Sequence, residues 1–308
     1  MSHLDSVHRG RLLIPLILLL LFSNSIAQAQ DVPLDSLRNR KKLSIITAAT
    51  LQAGTLIALD RLWYQDHPRS SFHFFQDGRQ WLQMDKVGHG MTSYYLGVLG
   101  METMRWAGWN DRQARWYGGM AGLFYLTSIE VLDGFSEEWG ASPGDMMANT
   151  LGAGVAIGQD ALWNEQRITF KFSFHRTDYA PYRPGTLGDG WNEELLKDYN
   201  GQSYWLSANI ASFLSKESDF PKWLSVAVGY GVDDIMSGTG SFAYVADDRI
   251  ISTDPRRQWY LAPDIDLWRI PTRHKGLKTA LRALGFIRLP LPALMLERGR
   301  LEVRGFGF

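Results

Sequence analysis

Long apolar runs in the first half of the chain have the spacing of helices. After a polar and basic start at residues 35–42, the run Leu43–Trp63 predicts a first helix. Its length is enough to cross a bilayer but its apolar character is modest, so a membrane span and a buried bundle helix both remain open. The next segment, Tyr64–Gln83, is polar and aromatic and contains the breaker His67-Pro68, which predicts a loop.

Three more helices are predicted, covering Asp85–Trp106, Asp111–Leu132 and Pro143–Trp163. Small residues spaced four apart let helix backbones approach closely. Such pairs are Gly118 with Gly122, Ala148 with Gly152, and Gly154 with Gly158. Four helices of about 20 residues with short connections predict a helical bundle.

After about residue 165 the pattern changes to strict alternation of apolar and polar residues, which is typical of strands. The alternating runs are Arg167–Phe174, Tyr204–Phe213, Lys222–Val232, Arg257–Ile270 and Arg298–Phe308. The sequence therefore predicts an α+β chain. A helical bundle over residues 30–165 precedes an antiparallel β-rich region over residues 166–308.

Two helices are predicted inside the β-rich region. A short one covers Asn192–Asp198, within a segment punctuated by Gly and Pro. A basic amphipathic one covers Thr272–Ile287. Its basic residues are Arg273, Lys275, Lys278 and Arg282, and its apolar residues are Leu277, Leu281 and Leu284.

The strands place apolar faces opposite faces of Gly, Ser and Ala, a pattern typical of membrane-embedded sheets. Only five or six strands are readable, whereas a closed single-chain barrel needs at least eight. In the last run Phe306 and Phe308 share a face with Glu302 and Arg304. A sheet embedded in the outer membrane, a sheet packed on the helices and a sheet lying against the bilayer remain open.

Residues 1–29 predict a cleaved secretory signal peptide. Arg9 and Arg11 precede the apolar run Leu12–Phe22, and an A-x-A site ends at Ala29. The apolar run is shorter than the roughly 20 residues that span a bilayer. We therefore expect an exported chain that begins near Gln30 and resides in the periplasm or at the outer membrane.

Composition narrows the classes of function. Without Asp5, Arg9 and Arg11 the net charge is −1, so nucleic acid is not an expected partner. The absence of cysteine excludes disulfides, thiolate chemistry and the lipidated cysteine of bacterial lipoproteins. The 12 Trp, 12 Tyr and 15 Phe favour contact with a membrane–water interface, although a well-filled core also uses aromatic residues.

Polar residues near the ends of the last three helices predict one cluster. Two pairs are four residues apart and one pair is three apart, so each pair shares a helix face. If the helices run antiparallel, these ends meet at one edge of the bundle. The predicted cluster consists of Asp85, Lys86, His89, Glu130, Asp133, Asp145 and Asn149.

The cluster also has a structural interpretation. Ser142-Pro143-Gly144-Asp145 has the form of a helix N-terminal capping box. Asp85 lies in a first helical turn, where an acid complements the helix dipole. Glu130 follows an apolar run, and a buried carboxylate requires a partner, for which Lys86 and His89 are the candidates. We favour a structural polar network over a catalytic site.

His89, Glu130 and Asp145 are the candidate catalytic residues under the alternative interpretation. A Glu–His pair can act as general base and general acid. One histidine among several carboxylates can also bind a divalent metal. The spacing matches no established metal-binding motif, so no cofactor is predicted and a divalent metal remains the alternative.

The ordered set Asp85-Lys86-x-x-His89, Glu130 and Asp145-x-x-Ala148-Asn149-Thr150-x-Gly152 resembles the periplasmic YfiM-like family of unknown function. It is also similar to the VanZ-like pattern of membrane proteins linked to glycopeptide resistance. The resemblance covers about residues 80–165 and implies a helical envelope protein, with no activity attached. The long β-rich half departs from it and resembles the extended form found in Bacteroidetes-type bacteria, which implies the outer membrane.

Together these patterns predict a structural or binding protein of the cell envelope, held at a membrane face. The expected partner is a membrane lipid or an envelope glycan or protein. The alternative is an envelope hydrolase or transferase that acts on a lipid or lipid-linked substrate through His89, Glu130 and Asp145. A pore or transport role for the β-rich half is a third hypothesis, and it requires a closed barrel.

Overall fold

The structure, a computed structural model, describes residues 34–61, 68–246 and 249–307. They divide into a helical unit within residues 34–78 and 85–166 and a sheet unit within residues 79–84 and 167–307. The chain is a mixed α/β protein, with helices in the N-terminal half and an antiparallel sheet in the C-terminal region, as predicted. The predicted signal peptide lies outside the described residues.

The helical unit contains α1 (Leu34–Leu59), α2 (Met84–Trp106), α3 (Ala121–Gly134) and α4 (Pro143–Trp163). The predicted bounds of α2 and α4 are confirmed to within one residue. α4 begins as its capping box requires, because the Ser142 hydroxyl accepts a hydrogen bond from the Asp145 backbone N–H at 3.1 Å.

The prediction of one continuous helix over Asp111–Leu132 is wrong. Asp111–Gln113 form a short helical turn, Ala114–Gly118 form a π-helical turn, and α3 begins at Ala121. At this interruption the backbone of Gly118 touches that of Gly100 in α2, so that a Cβ on either residue would overlap the other. An apolar pattern carries no sign of such a backbone contact.

α1 is largely exposed, which disfavours one of the two open alternatives, the buried bundle helix. Leu43, Ile45 and Ile46 are all more than half exposed, and Gln52 reaches α3 through a hydrogen bond to the Ser128 hydroxyl at 3.0 Å. Among the described residues, α1 is the one helix long and apolar enough to cross a membrane. The structure ends it at Leu59, and the last residues of its predicted extension lie outside the described residues.

Glycines set the spacing between the other helices. A Cβ on Gly122 would overlap the backbone of Ser93, and a Cβ on Gly152 would overlap the backbone carbonyl of Gly90. The prediction for Gly154 and Gly158 is wrong, because no atom of a neighbouring element lies within 4 Å of a Cβ placed on either one. Gly122 and Gly152 therefore allow α3 and α4 to approach the backbone of α2, whereas Gly154 and Gly158 face open space.

Gly152→Ala and Gly154→Ala form a matched pair on α4. We expect Gly152→Ala to lower the free energy of unfolding by about 1–3 kcal/mol, because α2 and α4 must separate to admit the methyl group. Gly154→Ala is expected to raise it by up to about 1 kcal/mol, since alanine is the better helix former and the site is open. Chemical unfolding of both variants measures the difference. Equal stabilities would contradict the proposed helix contact.

The sheet unit contains one six-stranded antiparallel sheet of order β1-β2-β3-β6-β7-β8 and one hairpin, β4–β5. The strands are β1 (Ile168–Phe174), β2 (Gln202–Asn209), β3 (Leu224–Asp233), β4 (Ala243–Ala246), β5 (Arg249–Ser252), β6 (Arg256–Ile265), β7 (Ala293–Glu297) and β8 (Arg300–Arg304).

Three predicted strands run too far, and one of them, Arg298–Phe308, is a strand only over Arg300–Arg304. The run Tyr204–Phe213 ends as a strand at Asn209, whose side chain caps the 3₁₀ turn Ile210–Phe213 by accepting from the Ser212 backbone N–H. The run Arg257–Ile270 likewise ends at Ile265, and Asp266 caps the turn that follows. Apolar residues continue the alternation into both turns, so the pattern alone does not mark the strand ends. β4, β5 and β7 were not predicted.

Two helices of the sheet unit match their predictions in place but differ in length. The first, α5 (Trp191–Lys197), agrees within one residue with the prediction. The second, α6 (Lys275–Ala283), is shorter than the predicted Thr272–Ile287. Its predicted last residue, Ile287, forms a β-bridge with Phe172 of β1 instead.

The buried face of the six-stranded sheet combines polar and small residues with the core residues Trp205, Tyr260 and Met295. Lys171 and Asp264 are 1% and 0% exposed, and their Nζ and Oδ2 atoms lie 2.6 Å apart. The Ser207 hydroxyl donates to the same Asp264 oxygen at 2.6 Å, and the guanidinium of Arg288 lies 3.7 Å from the ring centroid of Trp205. The interior is thus built from paired polar groups and aromatic rings.

The apolar residues of the same strands face outward. One row crosses all six strands through successive register pairs: Phe170, Leu206, Val228, Leu261, Leu294 and Val303. The five members after Phe170 are exposed, up to 77% for Val303. The neighbouring row consists of Phe172, Tyr204, Tyr230, Trp259, Leu296 and Leu301. Its last three members are exposed, Phe172 and Tyr230 are half-buried, and Tyr204 is buried. We call these two rows the outer apolar face.

A segment between α6 and β7 connects the two ends of the sheet. Phe172 of β1 donates its backbone N–H to Phe286 and accepts from Arg288, at 2.8 and 2.9 Å. Beyond β8, Gly307 donates its N–H to the Leu291 carbonyl at 3.0 Å and accepts from the Arg288 guanidinium. Residues 286–291 therefore bridge from β1, at one end of the strand order, to the residues that follow β8 at the other.

Candidate functional site

Lys86 lies at the centre of the polar cluster in the helical unit. Its ammonium nitrogen is 2.5 Å from Asp77 Oδ2, 2.9 Å from Asp145 Oδ2 and 3.1 Å from Asp85 Oδ2. Lys86 and Asp85 come from the first turn of α2, and Asp145 comes from the first turn of α4. One cation therefore joins the starts of two helices and the segment before α2.

The three carboxylates keep Lys86 charged. Burial by itself would lower the pKa of Lys86, since its side chain is only 12% exposed. The charges of Asp85 and Asp145 and the hydrogen bonds to Asp77 and Asp145 outweigh this effect and raise the pKa. The ammonium ion is thus a permanent counterion within the cluster.

Glu130, on α3, forms the second part of the cluster with His89. The carboxylate is 3% exposed, and its Oε2 accepts a hydrogen bond from the Ser142 backbone N–H at 2.9 Å. Its Oε1 lies 3.8 Å from His89 Nδ1. Of the two partners predicted for Glu130, His89 is the one that lies beside it. Lys86 instead pairs with the three aspartates.

His89 is held between the two parts of the cluster. Its Nδ1 lies 3.2 Å from Asn149 Oδ1, and its Nε2 lies 3.7 Å from Asp85 Oδ1. The imidazole is partly exposed, whereas Glu130 and Asn149 behind it are buried. His89 therefore lies between the buried Glu130 and the more exposed Asp85.

The cluster shifts three further pKa values. Burial raises the pKa of Glu130 to about 7, against the opposing effects of His89 and the Ser142 N–H. Burial and the charge of Asp85 raise the pKa of Asp145 to about 6, against His89 and Lys86. Burial would lower the pKa of His89, but the carboxylates of Asp85, Asp145 and Glu130 raise it. Protons are therefore bound more tightly here than in the unfolded chain.

Asp133 and Asn149 take different places in the cluster. Asp133 lies one turn beyond Glu130 on α3 and contributes through its charge, which adds to the rise in the pKa of Glu130. Asn149 is fully buried, and its backbone carbonyl accepts from the Ser93 hydroxyl at 2.7 Å. The structure thus brings together the residues predicted as a cluster.

Asp77 and Ser142 are the members that sequence reasoning missed as parts of the cluster. The Ser142 hydroxyl donates to Asp77 Oδ1 at 2.5 Å while it accepts from the Asp145 N–H. Ser142 was predicted only as a helix cap. Asp77 precedes Gly78, a pair that reads as a turn, and no spacing relates it to α2 or α4.

Asp85, His89 and Asp145 also have the geometry of a metal site. One ligand atom from each lies within 4.8 Å of the others. Neutral imidazole with two carboxylates suits Zn²⁺ and similar divalent ions. The Lys86 ammonium already lies against both carboxylates, however, so these oxygens have a resident cation. An added metal would have to displace or share that charge.

One family model matches the chain, over residues 73–160. Its description is predicted periplasmic lipoprotein (DUF2279). The matched segment spans α2, α3 and α4 and includes every residue of the cluster, from Asp77 to Asn149. No curated protein and no solved structure matches the chain.

The match supports an uncharacterised family of envelope proteins. The protein is exported, to the periplasm or the outer membrane, as predicted. The matched description includes lipoproteins, whereas this sequence contains no cysteine, the residue that carries the lipid in bacterial lipoproteins.

Stability should fall as pH rises through the range in which Glu130 titrates. The folded-state pKa of about 7 exceeds the ordinary value of 4.5, so the stability due to the proton is complete below about pH 4.5 and is lost as pH rises through 7. The loss from this group is about 3 kcal/mol. Glu130→Gln keeps an oxygen for the Ser142 N–H and should remove this part of the fall.

Chemical unfolding of the mature protein at pH 4.5 and pH 8 measures the effect. Wild type should lose more stability between these values than Glu130→Gln does. Glu137→Gln, at an exposed position of the same unit, is the control and should follow wild type. The same pH dependence in wild type and Glu130→Gln would show that Glu130 does not hold a proton in the folded state.

Proposed function

We propose that this protein is a non-enzymatic component of the bacterial envelope that binds a membrane through its sheet unit. The observation that carries the proposal is the outer apolar face. Its two rows occupy all six strands, while the opposite face of the same strands is buried and combines Lys171, Asp264 and Ser207 with the apolar cluster around Trp205, Tyr260 and Met295. A sheet with one face packed on the core and the other in water carries polar residues on the outer face, whereas here that face is apolar.

The composition of the face favours lipid over a protein partner. The aliphatic row centred on Val228 and Leu261 lies beside a row that contains Tyr230 and Trp259. Aliphatic residues flanked by aromatic ones match the acyl region and the interface of a bilayer, respectively. Contiguous exposed apolar residues on this scale mark interaction surfaces.

Helix α6 adds a charged element to the same unit. Lys275, Lys278 and Arg282 are basic, while Leu277 and Leu284 are exposed apolar residues. A basic amphipathic helix of this kind lies in the interface of an anionic membrane. Export to the envelope brings the chain to such membranes.

The polar cluster of the helical unit supports a structural role within this proposal. Lys86 neutralises aspartates from separate elements, and Glu130 caps the start of α4 through Ser142. Both arrangements fix the positions of helices. We further propose that the chain is related to the YfiM-like and VanZ-like proteins, because Asp85, Lys86 and His89 precede the later helices in the order typical of those patterns.

Lysines placed on the outer apolar face should release the protein from membranes. We expect Val228→Lys with Leu261→Lys to reduce flotation of the mature protein with vesicles of phosphatidylethanolamine and phosphatidylglycerol at least tenfold, because charged groups would enter the acyl region. The control is Ser215→Lys with Ser241→Lys, at exposed serines outside the sheet. Circular dichroism establishes that both variants are folded. A wild-type protein that does not float, or a double variant that floats as well as wild type, would refute the proposal.

The second candidate function is hydrolysis or group transfer on a lipid or lipid-linked substrate. It is favoured by the arrangement of His89 and Glu130. The imidazole of His89 is partly exposed, and the buried Glu130 carboxylate lies 3.8 Å from its Nδ1. A carboxylate in that position orients an imidazole that acts as a general base.

Incubation of the mature protein with phospholipids and lipid-linked pyrophosphates tests the second candidate. Turnover that His89→Gln abolishes at an unchanged melting temperature would establish the enzyme. Product formation that His89→Gln leaves intact would exclude His89 as its base. Absence of product with these substrates favours the binding role.

A further inference from the structure

A long apolar cleft lies in the helical unit, between α1 on one side and α2 and α3 on the other. Its volume is about 480 Å³, within the range of roughly 300–1,000 Å³ that is usual for small-molecule sites. Ile45, Ala48 and Leu51 line it from α1, and Leu96 and Leu99 line it from α2. We infer that this cleft binds the acyl chain of a single-chain lipid with an anionic head group.

The shape of the cleft fits an acyl chain. Lining residues recur along α1 from Ser44 to Thr55, at the spacing of one helix face. Eleven residues of α-helix advance by about 16 Å, so the cleft is long as well as narrow. Almost all of its lining is apolar, which suits a hydrocarbon and offers little to a polar ligand.

One end of the cleft carries a hydrogen-bond donor and positive charge. The indole Nε1 of Trp109 is buried and has no hydrogen-bond partner among the described residues. The Lys41 ammonium lies 5.2 Å from the Trp109 ring centroid, and Arg40 lies 5.1 Å from that of Trp106. An anionic head group would give the indole N–H an acceptor and lie beside these cations.

The opposite end is closed by polar groups that are already paired. Thr55 hydrogen-bonds to the Tyr125 hydroxyl and to the backbone carbonyl of Leu51 at 2.7 Å. Gln52 donates to the Ser128 hydroxyl at 3.0 Å. Among the described residues, these contacts already engage Thr55, Tyr125 and the Gln52 amide N–H, so the methyl end of the chain belongs here. The two ends fix the direction of the lipid.

The weak packing of α1 is consistent with an occupant. Most of its apolar residues are exposed, whereas α2, α3 and α4 touch one another through glycines. A chain in the cleft would contact α1 and the α2–α3 surface at the same time and would add apolar contacts that α1 otherwise lacks. This site belongs to the helical unit and does not depend on the outer apolar face.

Binding of two lysolipids with the same chain tests the inference. The probes are lauroyl lysophosphatidylglycerol, which is anionic, and lauroyl lysophosphatidylcholine, which is zwitterionic. Native mass spectrometry and calorimetric titration of the mature full-length protein measure stoichiometry and affinity. We expect one molecule of the anionic probe per chain, with an affinity at least fivefold above that of the zwitterionic probe.

Two tryptophan substitutions on α1, one inside the cleft and one outside it, test whether the cleft is the binding site. Ala48→Trp places an indole in the cleft and should weaken binding of both probes at least tenfold. Ala49→Trp, at the next residue and off the cleft lining, is the matched control and should bind as wild type. Equal binding by wild type and Ala48→Trp would overturn the inference.

Charge reversal tests the direction of the lipid. Lys41→Glu should remove most of the preference for the anionic probe and leave affinity for the zwitterionic probe within twofold. An unchanged preference would overturn the assignment of the head group to this end. The variant Val228→Lys with Leu261→Lys should bind both probes normally, so loss of membrane flotation and loss of cleft binding are separate results.

Discussion

The helical unit depends on the placement of one ammonium ion among three aspartates. Lys86 meets Asp77, Asp85 and Asp145, which come from three separate positions along the chain. Without that cation the carboxylates would repel one another in a site largely closed to water, and a buried pair that loses one partner typically costs about 3–5 kcal/mol. Because Asp85 and Asp145 both lie in first helical turns, the same contact sets the relative positions of α2 and α4.

The two units bury polar groups in different ways. In the helical unit, charged residues pair around Lys86 at the start of α4 and around Asp160 near its end, where Arg105 and Arg115 contact the carboxylate at 2.7 Å, while glycines allow the helices to touch. In the sheet unit, Lys171 and Asp264 are buried beside an apolar cluster that includes Trp205, Tyr260 and Met295. The remaining apolar residues of the sheet form its outer apolar face.

The hydrophobic periodicity of the sequence predicted most of the helices and strands, but it did not predict where several of them begin and end. α2, α4 and β1 were readable because period and end signals agree, as with Ser142 before α4. The break before α3 coincides with a backbone contact at Gly118, and neither feature leaves a mark on hydrophobicity. β7 is a short strand, Ala293–Glu297, that directly follows a Pro-containing segment, so its alternation is too brief to stand out.

The cluster was predictable to the extent that its members lie at helical spacing. Helix faces relate Asp85 to His89 and Asp145 to Asn149, and antiparallel packing then brings these pairs near Glu130. Asp77 could not be found in this way, because its place depends on the path of a loop. The sequence also could not show whether His89 or Lys86 is the partner of Glu130, since both residues come from the same turn of α2.

The bridge formed by residues 286–291 has a consequence for self-association. An uncovered edge strand offers unpaired N–H and C=O groups on which further copies of a sheet can grow. Here the backbone N–H and C=O of Phe172 are hydrogen-bonded to Phe286 and Arg288, so part of the β1 edge is already paired. The outer apolar face is therefore bordered by an edge strand whose backbone groups are partly paired, which obstructs one route to strand-by-strand association between copies of the sheet.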